Sequence, residues 1–260
     1  MRIAVVAPSN TLDRRVPELV APLAGARGLD LFFHPQCFAS SGHFAGSDKD
    51  REDALVEVAN DPAFEAVWCA RGGYGANRIA GGAIARMGDA ARAKVFVGYS
   101  DAGFLLAGLF AAGIGRPVHG PMPSDMLRVG GEAAVARTLD WLLAPSIPAQ
   151  PQFAFNLTVL SHLLGTSLQP DFTDRVLMLE EVDEPMYRID RALFHVTANA
   201  DVRRCAGLMF GRCAPVTPNV LDFGEDEEAV ARRWCATSGI AWLGRADIGH
   251  DSANKVVPFA

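Results

Sequence analysis

The sequence predicts an α/β protein, with an N-terminal doubly wound, mainly parallel sheet and a smaller, strand-rich C-terminal α/β domain. Two observations carry this. Short apolar runs alternate with helix-length segments as far as Leu143, the pattern of a parallel sheet covered on both faces. The run Ala144-Pro145-Ser146-Ile147-Pro148-Ala149-Gln150-Pro151 then breaks that rhythm and reads as a stiff connector. At 260 residues, half of them apolar, the chain can bury a large core. The expected organisation is 1–144, a proline-rich linker over 145–155, and 156–260, with a cleft between the two domains.

The elements follow in order. Arg2 to Ala7 is a strand, ended by Pro8-Ser9-Asn10. Asp13 to Ala26 places Val16, Leu19, Val20 and Leu23 on one helical face, and Leu29 to Phe33 is the next strand. Ser47 with Asp50 three residues on is a capping-box signature, opening a helix that Asp61-Pro62 stops. Ala66 to Cys69 is a strand, Ala76 to Met87 a helix, Val95 to Tyr99 a strand and Pro117 to His119 another. After Glu132 to Leu143 and the connector come a short helix over Leu157 to Leu164 and a strand from Val176 running into Glu180-Glu181. A helix begins at Asp190, strands cover Ala206 to Phe210 and Ile240 to Leu243, and an acidic helix spans Asp226 to Cys235.

Bulk properties narrow the function. A net charge of −6 argues against nucleic-acid binding, which needs a basic face. Met1-Arg2 leads straight into a strand without a signal-peptide pattern, and the uncharged apolar run Ala102 to Gly115 is too short to span a bilayer. Five cysteines without paired spacing suit a reducing compartment. Cys205 and Cys213 lack a companion pair for zinc. A cytoplasmic protein with no metal, no cofactor and no membrane contact is expected, with a homodimer left open.

Four stretches can carry chemistry. Val95-Phe96-Val97-Gly98-Tyr99-Ser100-Asp101-Ala102-Gly103 reads as strand, sharp turn and helix, a geometry that lifts the Ser100 hydroxyl above a sheet beside helix-end N–H groups. The same stretch also reads as a serine helix cap. Arg71-Gly72-Gly73-Tyr74-Gly75 fails as a dinucleotide fingerprint, because Arg78 stands where the third glycine belongs. Its better uses are backbone donors for an oxyanion, with Arg71 or Arg78 for a carboxylate; a plain surface turn is the alternative. Glu180-Glu181-Val182-Asp183-Glu184 ends a buried strand, where an acid that orients a histidine is placed, although a solvated acidic loop has the same composition. His250 stands in a polar loop, suited to proton transfer. The order Ser…Glu…His is compatible with a hydrolase triad.

These blocks, in this order, resemble the LD-carboxypeptidases, a serine peptidase family (S66) that includes muramoyltetrapeptide carboxypeptidase and the microcin C immunity peptidases. The similarity runs through Ile3-Ala4-Val5-Val6-Ala7-Pro8-Ser9, Phe44 to Asp48 with Arg51, Arg71 to Gly75 with Arg78, and Gly98-Tyr99-Ser100-Asp101. It continues through Asn156-Leu157-Thr158 to Gly165-Thr166, Leu179 to Val182 with Tyr187 to Arg191, and Gly249-His250. The resemblance implies Ser100 as nucleophile, Glu180 as acid with Glu181 where aspartate is usual, and His250 as base, which puts the expected active site in the cleft between the two domains. It implies oxyanion donors from the N–H of Gly72 or Gly73 and of Asp101, and Arg71 and Tyr74 are candidates for substrate binding. The implied reaction is removal of the terminal D-Ala from a murein tetrapeptide during cytoplasmic cell-wall recycling. An immunity-type peptidase acting on a peptidyl-nucleotide and a non-catalytic peptide-binding module are the alternatives. Two features depart from the family pattern: Phe155 stands where glycine is usual, and the chain ends soon after His250, which predicts a less supported histidine loop.

Overall fold

The computed structural model describes residues 1–260. The first sheet contains β1 (Arg2–Val6), β2 (Asp30–Phe33), β3 (Ala66–Cys69), β4 (Val95–Gly98) and β5 (Arg116–His119), in the order β5-β4-β3-β1-β2 and all parallel. Alternation within β1 fixes which face each side chain serves. Ile3 and Val5 pack with Trp68, Val95 and Val97 under α1 (Val16–Gly25) and α6 (Gly131–Leu143). Ala4 and Val6 pack with Val67 and Phe96 on the opposite face, under α2 (Asp48–Asn60), α3 (Ala76–Ala85) and α5 (Gly103–Ala111), with the short α4 (Asp89–Arg92) at the edge. The expected capping box is present: Ser47 accepts from the Asp50 N–H, and the Asp50 carboxylate accepts from the Ser47 N–H. The strand order reverses between β1 and β3, so the loops after these strands diverge and leave a crevice at their carboxyl ends.

The second sheet is parallel, β6 (Gln152–Asn156), β7 (Val176–Glu181), β8 (Gly207–Cys213) and β9 (Trp242–Arg245). Its helices are α7 (Leu157–Leu163), α8 (Met186–Ala198) and α9 (Glu227–Ser238). Several expectations are corrected here. β6 occupies the end of the stretch read as connector, because Phe153 and Phe155 fill the core between the halves and outweigh the neighbouring prolines. α8 starts at Met186, four residues before Asp190, with Pro185 at its N-cap. β8 runs on through Cys213, and β9, expected from Ile240, begins at Trp242.

A further strand, β10 (Val257–Pro258), returns to the first sheet and pairs antiparallel with β5. The halves also share one apolar cluster: Phe104 and Leu105 of α5 belong to it together with Phe153, Phe155, Leu160 and Leu177. Gly103 permits that contact. A Cβ there would sit 3.0 Å from Val159 Cγ1 and 3.4 Å from Phe155 Cδ1, so the large Phe155 is accommodated against a residue with no side chain. No helix is long and apolar enough to cross a membrane.

Candidate active site

Ser100 follows directly from the sheet. β4 ends at Gly98, Tyr99 is extended, and Ser100 enters a 3-10 turn with φ +59°, ahead of α5. This is a left-handed backbone that costs a residue with a Cβ roughly 1–2 kcal/mol, and the cap positions belong to other residues, Tyr99 for the turn and Ala102 for α5. The helix-cap reading is therefore corrected: the turn holds the serine in a strained position, as a cap would not require. Asp101 anchors the turn. Its buried carboxylate accepts from Ser9 Oγ and from the Ala76 N–H at 2.8 Å. Burial pushes its pKa up despite these donors.

The glycine loop lies against the serine. A Cβ on Gly72 would stand 2.8 Å from Ser100 Oγ, and Gly73 has φ +122° with Asn10 where its Cβ would be. The backbone N–H groups of Gly72 and Gly73 donate to no group of the protein.

Glu180 and His250 meet. His250 Nδ1 lies 2.6 Å from Glu180 Oε2, with both side chains almost wholly buried. His250 Nε2 has no hydrogen-bond partner, and neither does Glu180 Oε1. Burial alone pulls the imidazole pKa down; the charge of Glu180 and the hydrogen bond to it outweigh burial, and the net shift is upward. Glu181, one residue along the strand, points the other way. It accepts from Asn156 Nδ2 at 2.6 Å, from the Thr158 N–H and hydroxyl, and from the Val182 N–H, so it ties β6 and the start of α7 to β7. The run of carboxylates thus divides: two are buried and engaged, while Glu184 pairs with Arg188 at 2.7 Å.

The histidine loop is supported by residues the sequence reading missed. Between Leu179/Phe210 and Glu181/Cys213, β8 carries one more residue than β7, a bulge of the kind that re-aims side chains at sites. Gly211 sits in it. A Cβ there would come within 2.5 Å of the Ile248 carbonyl and 3.1 Å of Glu180 Cβ, and the Arg212 N–H donates to the same carbonyl at 2.9 Å. An isolated glycine inside a strand was the available signal. Asn254 Oδ1 accepts from the Gly249 N–H and lies 3.1 Å from His119 Nε2. Arg128 donates to the His250 carbonyl and pairs with Asp125, which also accepts from the Tyr99 hydroxyl at 2.8 Å. Arg212 binds Asp251. The expected loss of support is therefore absent: both halves of the chain hold this loop.

Two cavities meet at Ser100. One, of about 420 Å³, is lined by Arg71, Gly72, Ser100, Arg128 and His250 among others. The second, of about 490 Å³, is lined by Tyr74, Ser100, Phe104, Asn156 and Glu181 among others. Gly73 borders both. Tyr99 packs on the His250 ring at 4.8 Å between centroids. Arg71 donates to the Thr11 carbonyl at 3.2 Å at the rim of the first cavity, and Tyr74 is half exposed beside the second.

Comparison with known proteins places the chain in a family. Residues 3–120 match the model of the LD-carboxypeptidase N-terminal domain and residues 153–260 that of the C-terminal domain. A Synechocystis sp. protein, whose carboxypeptidase name is provisional, is 30% identical over 272 residues, covering 99% of this chain and 88% of that one. The murein tetrapeptide carboxypeptidase of Pseudomonas aeruginosa is 24% identical over 283 residues, covering 99% of this chain and 91% of its own. Among solved structures, muramoyltetrapeptide carboxypeptidase from Oxalobacter formigenes superposes with a TM-score of 0.87 at 23% identity, over 100% of this chain and 93% of that one. The microcin C7 self-immunity protein shares the fold with a TM-score of 0.83 at 14% identity, over 100% and 91% of the two chains.

Proposed function

The chain belongs to the LD-carboxypeptidase family, and from that premise we propose that it is a serine carboxypeptidase that removes the terminal D-alanine of a murein tetrapeptide in cytoplasmic cell-wall recycling. The observation that carries the reading is the Glu180–His250 contact, which engages Nδ1 and leaves Nε2 without a partner in the cavity that Ser100 lines. A general base needs that arrangement: one nitrogen fixed by an acid, the other available to a hydroxyl.

In this mechanism His250 Nε2 takes the Ser100 proton as Oγ attacks the carbonyl of the diamino acid. The charge developing on the carbonyl oxygen is met by the N–H groups of Gly72 or Gly73 and Asp101, each donor contributing about 2.7–4 kcal/mol. His250 then returns the proton to the leaving amine, D-alanine departs, and water activated by the same imidazole releases the acyl group. The proton must reach the leaving nitrogen, so D-alanine belongs in the His250 cavity, where Arg71 is the candidate for its carboxylate. The acyl part then occupies the second cavity, beside Tyr74.

The test is incubation with tetrapeptide, pentapeptide and a peptidyl-nucleotide, reading D-alanine release from the two peptides and separation of the peptide and nucleotide parts in the third. Release from tetrapeptide by the wild type, abolished in Ser100→Ala, is expected. Turnover retained in Ser100→Ala, or turnover of the peptidyl-nucleotide alone, would overturn the proposal.

A further inference from the structure

A third cavity, of about 380 Å³, opens between α7 and α8. Its wall carries Arg188, Arg191 and His195 from α8 and Thr158, Ser161 and His162 from α7, with Ala192 as the one apolar residue. Arg188, Arg191 and His195 are spaced i, i+3, i+7, so they form one stripe along a single helix face. In a chain of net charge −6, this wall contains no carboxylate. The ion pair made from this wall is Arg188 with Glu184, which lines the neighbouring acyl cavity. Arg191 has no ion-pair partner; its guanidinium lies 5.4 Å from the Tyr187 ring centroid. Ser161 Oγ and His195 Nδ1 are 2.9 Å apart, and His162 Nδ1 lies 2.7 Å from the Thr158 carbonyl, so both rings are held in place.

The position of this cavity gives it meaning. Thr158 and His162 line both it and the acyl cavity that contains Ser100, so a ligand extending away from the serine on the acyl side reaches the arginines. We infer that the α7–α8 cavity is a subsite for a carboxylate on the acyl side of the substrate, with Arg191 as its principal contact. The inference rests on the carboxypeptidase reading and assigns that reading a specificity element. A murein tetrapeptide whose diamino acid is diaminopimelate carries two such groups, the α-carboxylate of its γ-linked D-glutamate and the side-chain carboxylate of diaminopimelate. A planar guanidinium free of internal partners suits either.

The experiment uses the full chain and three tetrapeptides: the parent, one with D-isoglutamine in place of D-glutamate, and one amidated on the diaminopimelate side chain. Arg191→Gln is expected to raise KM for the parent by roughly tenfold to a hundredfold, with kcat within about twofold, since the contact is remote from the reacting atoms. Arg191→Lys should recover part of the loss. The amidated peptide that lacks the bound carboxylate should show a raised KM with wild-type enzyme and no further rise with Arg191→Gln, which identifies the group. An unchanged KM in Arg191→Gln, or an equal rise for all three peptides, overturns the inference while leaving the carboxypeptidase reading intact. Wild-type enzyme that releases D-alanine from none of the peptides overturns both.

Discussion

Replacing Glu180 by glutamine keeps the shape of the side chain and removes its charge. In the proposed mechanism His250 becomes an imidazolium as Ser100 attacks, and Glu180, 2.6 Å from Nδ1 and wholly buried, is the counter-charge. Two unit charges about 4 Å apart at an effective dielectric of 20 attract by about 4 kcal/mol. At about 1.4 kcal/mol per decade, losing that attraction in the transition state lowers kcat by about 10³-fold. KM should stay within about threefold, because neither residue holds the substrate. The pH profile supplies a second readout. Glu180 is what lifts the His250 pKa above its usual value against the opposing pull of burial, so the acid limb of kcat/KM should move to lower pH in Glu180→Gln. Stability follows the same linkage. Because the folded pKa of His250 is raised, its contribution is fully present below the unfolded value, near 6.5, and is lost as pH rises through the folded value. The loss of Tm caused by Glu180→Gln should accordingly be greater at pH 5.5 than at pH 9. A kcat within tenfold of wild type together with an unmoved acid limb would refute the assignment of Glu180 as the partner of the base.

Two further substitutions probe how the site is built. Gly211→Ala would press a Cβ toward the Ile248 carbonyl, 2.5 Å away; displacement of the histidine loop should cost about 1–3 kcal/mol and about 10²-fold in kcat, and near-wild-type kinetics would show that the bulge does not position His250. Ser100→Gly relieves the left-handed strain at φ +59° that Ser100→Ala retains. Allowing for the extra unfolded-state entropy of glycine, the glycine variant should be more stable by about 0.5–1 kcal/mol in urea denaturation, and the opposite order would remove strain from the account of this turn.

Much of the fold was legible because strong local signals agreed with the tertiary outcome. The apolar run of β4 followed by a glycine and an uncharged helix, and the Ser47–Asp50 capping box, required no partner elsewhere in the chain. What escaped detection depended on contacts distant in sequence. β6 was hidden by adjacent prolines, and only the aromatic core between the halves makes a strand of Gln152–Asn156. β10 is two residues long and exists because β5 offers an edge. At the site, Ser100, Glu180 and His250 were read from the sequence and lie together. The division of labour between Glu180 and Glu181 was not separable by residue type, since strand alternation sends one toward His250 and the other toward Asn156 and Thr158. His119 and Arg128 carry no local signature of what they support, since each meets the histidine loop more than a hundred residues away; Gly211 offered only its place inside a strand, and Asn254 only a polar side chain in the same loop.

The boundary between the two family models, after residue 120 and before residue 153, divides the sequence but not the packing. Gly103 from one side lies against Phe155 and Val159 from the other, and β10 is encoded with the second half while it completes the sheet of the first. Recombination that exchanged one half for that of a distant relative would import a surface cut to fit a different neighbour. The two halves are therefore constrained to diverge as a pair, and a substitution on either side of α5 sets which residues the other side can accept.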